Sequence, residues 1–288
     1  MNYNYKIRLK LLFIFIIINI IMKCCICGTV RDCGIYLKNI LSIMEKIGSL
    51  FNEYKIILYY DTSKDNTKEI LEKYSNNNKN MEYINNTSPL LEYRTHRIAK
   101  GRNACLAKMR NKYNDYKYFI MMDCDDRCNY NINLNILKCY LNRNDWDALS
   151  FQHPCGFYYD TWALSKRPYV LSCHHFKDPG LGGRYITKLL SKTPKNKLIR
   201  CFSAFNGFSI YRSNKFKECW YDGHFRLDYV PRHLINENIA YAGNIIFTNP
   251  SNSNVTIKQR KNEDCEHRFF HFSAVKKHNA RIMISPLY

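Results

Sequence analysis

The sequence predicts an α/β protein with a mixed, mostly parallel sheet and helices on both faces, which makes three layers. Short apolar runs alternate with helical stretches along the first half of the chain, as in parallel α/β folds. The run at residues 118–122 is apolar throughout, which is typical of a buried parallel strand. Asp123, Asp125 and Asp126 follow it directly, at the edge where open α/β sheets bind ligands.

The elements can be placed in order from hydrophobic spacing. The first half predicts strands over 23–29, 53–60 and 81–84, and helices over 32–48, 67–74 and 95–113. The second half predicts strands over 148–151, 204–211 and 280–284, with a short helix before the last strand. Residues 165–200 are basic and rich in Pro and Gly, so we expect a mobile acceptor loop there. With no repeat or clear boundary, residues 23–288 are predicted to form one domain.

The composition limits the partners. The formal net charge of +20 favours phosphate-bearing partners, such as nucleic acid, an anionic membrane or a nucleotide. The sequence shows no RRM, zinc-finger or helix-turn-helix signature, so a generally basic surface is favoured over specific nucleic-acid binding.

Two features give opposite indications of the compartment. The 13 cysteines are odd in number and scattered without zinc-site spacing, which favours a reducing environment such as the cytoplasm. Residues 1–22, by contrast, place three basic residues before an apolar run, as a signal anchor does. The run is short for a membrane span, so a helix or strand buried in the fold is the alternative.

Polar clusters follow several predicted strands and should meet at one edge of the sheet. The candidates for binding a nucleotide are Thr29, Arg31, Asp61, Asp65, Arg97, Arg102, Asn103 and Asp123. An Asp after the second strand can accept hydrogen bonds from a base or ribose, and arginines near a helix start can meet a diphosphate. Taken singly, the aspartates could cap turns and the arginines could form a solvated helix face. Asp123 and Asp125 offer oxygen ligands to Mg²⁺ or Mn²⁺.

Taken together, these motifs resemble the GT-A glycosyltransferases. The closer resemblance is to the capsule-associated α-1,3-mannosyltransferase-like branch and to family-2-like enzymes of giant DNA viruses. It is carried by residues 27–32, 60–67, 97–103, 119–126, 157–164, 205–208 and 265–267, and it covers residues 23–288 in motif order. Lys100 departs from the pattern, because an Ala is commoner at that position.

The resemblance implies a Rossmann-like GT-A fold with a DxD metal site. It also implies metal-dependent transfer of a sugar from a nucleoside-diphosphate sugar to a glycan or protein, with Mn²⁺ or Mg²⁺ as cofactor. The enzyme would work in a host cytoplasm or viral factory, or at a membrane through residues 6–22.

The resemblance also implies roles for single residues. Asp125 would bind the metal, with Asp123 on the metal or ribose, and His267 or His271 would complete the shell unless they are structural. Asp264 or Glu266 would be the base of an inverting enzyme, whereas retention, which the mannosyltransferase likeness favours, needs none. The acceptor or sugar would contact Asp160, Trp162 and Asn206, unless Trp162 belongs to the core.

Two other classes of protein compete with a glycosyltransferase. A nucleotidyltransferase acting on sugar phosphates would carry a glycine-rich loop after the first strand, and residues 28–34 are too sparse in glycine. A non-catalytic nucleic-acid or membrane-binding protein would use the basic charge and lose affinity steeply with salt. It would not explain several polar clusters at one sheet edge.

Overall fold

The computed structural model describes residues 22–171, 179–242 and 263–287. One eight-stranded sheet runs through this part of the chain, in the order β3-β2-β1-β4-β7-β5-β8-β6. The strands are β1 (Lys23–Val30), β2 (Glu53–Tyr60), β3 (Met81–Asn85), β4 (Tyr118–Met122), β5 (Ala148–Phe151), β6 (Ile199–Cys201), β7 (Phe208–Arg212) and β8 (Ile282–Ser285). The helices are α1 (Gly34–Gly48), α2 (Thr67–Asn77), α3 (Arg94–Lys112), α4 (Leu134–Leu141), α5 (Pro179–Lys192), α6 (Arg232–Ala242) and α7 (Glu266–His278).

The strand directions bring six carboxyl ends to one edge, those of β1, β2, β3, β4, β5 and β8. Strands β1, β2, β3 and β4 are parallel, and β7 is antiparallel to both β4 and β5, so β5 points the same way as β4. β8 is parallel to β5, and the short edge strand β6 is antiparallel to β8. The predicted mixed, mostly parallel sheet is confirmed, and the segments that follow β1, β2, β4 and β5 share one edge.

The two faces of the sheet are covered by different helices. In β1, Cys24 and Ile26 belong to one core cluster and Cys25 and Cys27 to the other, as the two-residue period of a strand requires. The first cluster is closed by buried residues of α1, α2 and α4, and the second by those of α3, α5 and α7. Burying one such Leu, Ile or Phe side chain contributes roughly 1.5–3 kcal/mol, which makes the strands rigid supports for the loops at their ends.

The chain enters the sheet at the amino end of β1. The Met22 amide donates to Asn52 Oδ1 over 2.8 Å, and the Asn52 amide donates to the Met22 carbonyl over 2.9 Å. The apolar segment predicted as an anchor lies, except for Met22, outside the described residues. In the part of the chain that the structure describes, no helix is long and apolar enough to cross a membrane.

The prediction of a loop over residues 165–200 was wrong for residues 179–192 and 199–200. This stretch contains α5, whose Ile186 and Leu190 are fully buried, and it reaches β6. Proline is compatible with the first turn of a helix, where its missing N–H has no partner to lose, so Pro179 starts α5 instead of preventing it. Residues 172–178 lie outside the described residues. The predicted strand over 204–211 begins only at Phe208, because Asn206 and Gly207 have positive φ angles of 62° and 87°.

Candidate active site

An open cleft of about 270 Å³ lies at the carboxyl edge of the sheet, against the start of α3. The cleft is lined by Thr29, Val30, Arg31, Asp32, Cys33, Tyr59, Asp61, Arg94, Arg97, Ile98, Asp123, Cys124 and Asp125. Six predicted site residues meet there: Thr29, Arg31, Asp61, Arg97, Asp123 and Asp125. They come from the ends of β1, β2 and β4 and from α3, as the shared edge predicts.

Asp61 forms one end of the cleft. Its Oδ1 accepts hydrogen bonds from Asn86 Nδ2 (2.8 Å) and the Thr62 amide (3.1 Å), and its Oδ2 lies 3.9 Å from Arg31 Nη1. Lys100 Nζ donates to Asn86 Oδ1 over 3.1 Å and so holds the amide that orients Asp61. The unusual Lys100 therefore has a local role in this structure.

Asp65 is a capping residue and does not line the cleft. Its Oδ2 accepts from the Gly34 amide (2.8 Å) at the start of α1. Its Oδ1 accepts from the Thr67 amide (3.1 Å) and hydroxyl (2.5 Å) at the start of α2. Burial opposes the charge of Asp65, but these hydrogen bonds lower its pKa overall. The predicted role of Asp65 in nucleotide binding is thus replaced by a structural one.

Asp123 and Asp125, which we call the acid pair, lie at the other end of the cleft, and they differ in their hydrogen-bond partners. Asp123 Oδ1 accepts from Arg102 Nη2 (2.8 Å), and its Oδ2 accepts from the Tyr159 hydroxyl (3.1 Å). Asp125 Oδ1 accepts only from the Arg127 amide (3.0 Å), as the cap of a short 3₁₀ turn. Burial, and then the negative charge of Asp123, raise the pKa of Asp125 to about 6.

These residues fit a hard divalent cation. Two carboxylates that repel each other in a partly buried cleft are stabilised by a positive ion, and oxygen donors suit Mg²⁺ and Mn²⁺. Asp125 Oδ2 has no hydrogen-bond partner among the described residues. In residues 22–171, 179–242 and 263–287, no group of three or more His, Cys, Asp or Glu side chains is arranged to hold a metal. The protein would supply two ligands, leaving the rest to phosphate and water.

Arg102 connects the acid pair to the start of α7. It is 3% exposed, and its Nη1 contacts both Glu266 Oε1 and His267 Nε2. The ring of Phe205 lies 4.7 Å from its guanidinium. Burial alone lowers the pKa of Arg102, but the charges of Glu266 and Asp123 raise it overall. The structure therefore places Glu266 behind Asp123, with a buried cation between the two carboxylates.

The two histidines predicted as metal ligands are structural. His271 is fully buried, with Nδ1 2.9 Å from Ser203 Oγ and Nε2 3.1 Å from the Tyr211 hydroxyl. His267 stacks on Phe205 at 3.7 Å and turns its Nε2 towards Arg102. Burial, and then the charge of Arg102, lower the pKa of His271 to about 3 and that of His267 well below its usual value. The structure contradicts their predicted metal role, because Arg102 lies between His267 and Asp123, and both ring nitrogens of His271 contact other side chains.

Two further predicted site residues are engaged elsewhere. Asp264 is buried against Arg268, and its Oδ1 accepts from the Cys265 amide over 2.7 Å. Asn103 exchanges two 2.8 Å hydrogen bonds with the main chain of Tyr221. The structure brings neither side chain into the cleft, so we correct both predicted site roles.

The predicted acceptor residues have different surroundings. Asn206 Oδ1 accepts from the amides of Tyr159 (3.1 Å) and Asp160 (3.2 Å), so Asn206 holds the loop instead of facing the cleft. Trp162 is half-buried and packs against the core. Asp160 is half-buried, and burial raises its pKa to about 7.

Sequence reasoning missed Arg94 and the role of Tyr159. Arg94 is exposed and lines the cleft, and its positive charge partly opposes the rise in the pKa of Asp123 and Asp125 that burial causes. The sequence held one indication of this role for Arg94: it lies directly before the predicted start of α3, and the helix in fact begins at Arg94, one residue earlier than predicted. Tyr159 lies in a motif that carried the resemblance, but only the structure shows its contact with Asp123.

The fold and the cleft define a Rossmann-like α/β protein of the GT-A class. A family model described as glycosyl transferase family 2 matches residues 36–220, which is more than half of the chain. The chain therefore belongs to glycosyl transferase family 2. No curated protein sequence matches it.

Several solved structures are similar to this chain. S. aureus TarS 1-349 matches with 15% identity over 91% of this chain and a TM-score of 0.46, and this chain spans 58% of its length. Its complex with UDP-GlcNAc matches with 19% identity over 70% of this chain and 49% of that chain, with a TM-score of 0.39. The mannosyltransferase PcManGT from Pyrobaculum calidifontis, in complex with GDP-Man and Mn²⁺, matches with 11% identity over 69% of this chain and 47% of that chain, with a TM-score of 0.38.

Proposed function

We propose that the protein transfers a sugar from a nucleoside-diphosphate sugar to a glycan or protein acceptor, with the help of Mn²⁺ or Mg²⁺. Membership of glycosyl transferase family 2 supports the class of reaction. The observation that carries the proposal is the cleft itself, in which Asp61, three arginines and the acid pair face one space.

The donor would lie along the cleft from Asp61 to the acid pair. Asp61 can accept hydrogen bonds from a ribose or base, because Asn86 fixes its carboxylate and leaves Oδ2 facing Arg31 at 3.9 Å. Arg97 Nη1 is bound to the carbonyls of Leu91 (2.6 Å) and Glu92 (2.8 Å), so its charge is fixed in the cleft wall. Arg94 has a more exposed guanidinium and is the better candidate to contact the diphosphate.

Asp125 and Asp123 would hold the cation. When bound, it stabilises the negative charge that develops on the leaving diphosphate, as a Lewis acid does. The protein's contribution is to fix the carboxylates: Arg102 and Tyr159 hold the two oxygens of Asp123, and the Arg127 amide holds Asp125. Such hydrogen bonds orient ligands before the metal arrives.

Glu266 is the better candidate of the two carboxylates predicted as a base. Asp264 is enclosed with Arg268, whereas Glu266 lies beside the acid pair through Arg102. Because Glu266 is 5% exposed and bound to Arg102 behind Asp123, it would have to be released from Arg102 to accept the acceptor's proton in an inverting reaction, whereas in a retaining reaction it would only hold Arg102. NMR of the anomeric configuration of the first product separates the two cases.

Calorimetry tests the proposed function most directly. UDP, GDP and their sugars would be titrated into the purified protein with Mn²⁺, and again with the metal chelated. We expect at least one nucleotide sugar to bind with an affinity that falls by about tenfold or more without metal. Absence of metal-dependent binding for every nucleotide would overturn the proposal.

A further inference from the structure

A cluster of aromatic side chains lies next to the acid pair, on the side away from the residues proposed to bind the nucleotide. The His153 ring is 5.0 Å from that of Tyr130, and 6.0 Å from those of Phe157 and Tyr159. We call these four residues the aromatic shelf. Three of them belong to the loop that follows β5, whereas the donor cleft is built on β1 and β2. Because β4 lies between β1 and β5 in the sheet, the acid pair stands between the two groups.

Direct contacts connect the aromatic shelf to the loop after β4, which carries the acid pair. The Tyr159 hydroxyl donates to Asp123 Oδ2 over 3.1 Å. The Arg127 guanidinium lies 5.1 Å above the Tyr159 ring. The shelf therefore has a fixed position relative to Asp123 and Asp125, which is a requirement for a site that holds a reacting partner.

Phe157 is the exposed member of the shelf. It is 46% exposed, although its loop is held by several hydrogen bonds. The Gly156 amide donates to the His153 carbonyl (2.9 Å), and Gln152 Nε2 donates to the Gly156 carbonyl (2.9 Å). The Cys155 amide donates to His153 Nδ1 (3.2 Å). An apolar ring that a hydrogen-bonded turn holds in water loses hydrophobic free energy, which is recovered when a ligand covers it.

We propose that Phe157 is the platform on which a pyranose ring of the acceptor stacks, so the acceptor is a carbohydrate. This inference rests on the proposed function, and it chooses between the two acceptor classes left open there. The face of an aromatic ring carries partial negative charge, and the axial C–H groups of a pyranose carry partial positive charge. Asp126 and Arg127 are exposed beside the shelf and offer an acceptor and donors for sugar hydroxyls.

The shelf fits this role better than Trp162, which the sequence predicted as a sugar platform. Trp162 is half-buried and packed against the core, whereas Phe157 is 46% exposed and offers its ring to solvent.

The experiment measures sugar binding by saturation-transfer NMR on the protein saturated with diamagnetic Mg²⁺ and the nucleotide found by calorimetry. The probes are methyl α- and β-pyranosides of mannose, glucose and galactose. Phe157→Leu keeps an apolar side chain but removes the ring, and Phe157→Trp keeps a ring. Tyr241→Ala removes a comparably exposed aromatic side chain from α6 and serves as the matched control.

We expect transfer to pyranoside ring protons in the wild type, in Phe157→Trp and in Tyr241→Ala. In Phe157→Leu the affinity should fall about fivefold, because the stacking contribution is lost, while nucleotide affinity stays unchanged. Two results would overturn the proposed role of Phe157 and leave the proposed function intact. In the first, the nucleotide-bound protein binds none of the pyranosides; in the second, Phe157→Leu binds them as the wild type does. Failure to bind any nucleotide overturns the proposed function, and the shelf with it.

Discussion

Arg102 Nη2 donates a 2.8 Å hydrogen bond to Asp123 Oδ1, and the other terminal nitrogen of the same guanidinium contacts Glu266. One buried cation therefore holds a carboxylate of the β4 loop and a carboxylate of α7 together. The two carboxylates come from positions 143 residues apart in the chain (266 − 123). The contact fixes the acid pair from behind, where a ligand in the cleft cannot displace it.

We predict that Arg102→Met is among the most destabilising single substitutions in the site. It leaves Asp123 and Glu266 without their buried partner, and breaking a buried ion pair in this way costs about 3–5 kcal/mol. Urea denaturation measures the free energy of unfolding. Arg110→Met is the control on the same helix, since Arg110 bonds only the carbonyls of Phe216 and Cys219 and should cost less.

The pairing with Glu266 can be separated from the loss of the arginine itself. Arg102→Met combined with Glu266→Gln should lose less stability than the sum of the single variants, by at least about 1 kcal/mol, because the buried charge is removed together with its partner. Additive losses would contradict the coupling between Arg102 and Glu266.

Asp125→Asn should remove metal-dependent nucleotide binding while leaving the fold intact. Asparagine still accepts from the Arg127 amide, and it relieves the repulsion from Asp123, so the free energy of unfolding should change by less than about 1 kcal/mol. Calorimetry should show the Mn²⁺-dependent gain in nucleotide affinity falling by at least about tenfold. Asp126→Asn, whose carboxylate is mostly exposed beside Arg127, should keep that gain. Equal effects of the two variants would show that Asp125 is not a metal ligand.

The first half of the fold was predictable because each strand and helix carries its own periodic pattern. β2 was predicted with its observed bounds, and α3 to within one residue at each end. The shared edge then followed from parallel strand direction, and it brought Asp61, Arg97 and Asp125 to one cleft without any knowledge of contacts.

The second half was less predictable, for two physical reasons. α5 begins with Pro and contains three glycines, so its composition is typical of a loop. The two buried residues that pack this helix on the sheet, Ile186 and Leu190, are too few to reveal a helix from the sequence. The polar character of His267 and His271 suggested ligands, but both lie on α7 inside the core, where His271 contacts Ser203 and Tyr211 and His267 packs against Phe205 and Arg102. A sequence does not reveal that a distant Arg102 will pair with α7.

Arg94 should contribute to binding of the diphosphate and not of the nucleoside. Arg94→Met removes an exposed guanidinium from the cleft, and we expect the affinity for the nucleoside diphosphate to fall about fivefold while that for the nucleoside is unchanged. Calorimetry with both ligands measures the difference. Lys108→Met is the matched control. Lys108 lies on the same helix as Arg94 and pairs with Glu82, but it does not line the cleft. An equal loss for nucleoside and diphosphate would place Arg94 near the base instead.

Asp160 should make the stability of the metal-free protein depend on pH. Its pKa in the folded state is raised to about 7 by burial first and then by Asp123 and Glu266, whereas an unfolded Asp titrates near about 3.9. The folded carboxyl thus keeps its proton at pH values where the unfolded one has lost it. The stabilisation from this group is complete below about pH 4 and falls by up to about 1.4 kcal/mol per pH unit until about pH 7.

Asp160→Asn removes this titration while keeping an acceptor for the Ala163 amide, which donates to Asp160 Oδ1 over 3.0 Å. The difference in unfolding free energy, variant minus wild type, should therefore rise as the pH increases from about 4 to about 7 and stay level above it. Urea denaturation in the presence of a chelator measures both proteins across this range. Asp228→Asn, at an exposed residue whose pKa is lowered chiefly by its hydrogen bond to Arg226, is the control and should show no such rise. A pH-independent difference for Asp160→Asn would mean that the pKa of Asp160 is the same in the folded protein as in the unfolded chain. The charge of Arg102 would then offset the effects of burial, Asp123 and Glu266 on that pKa.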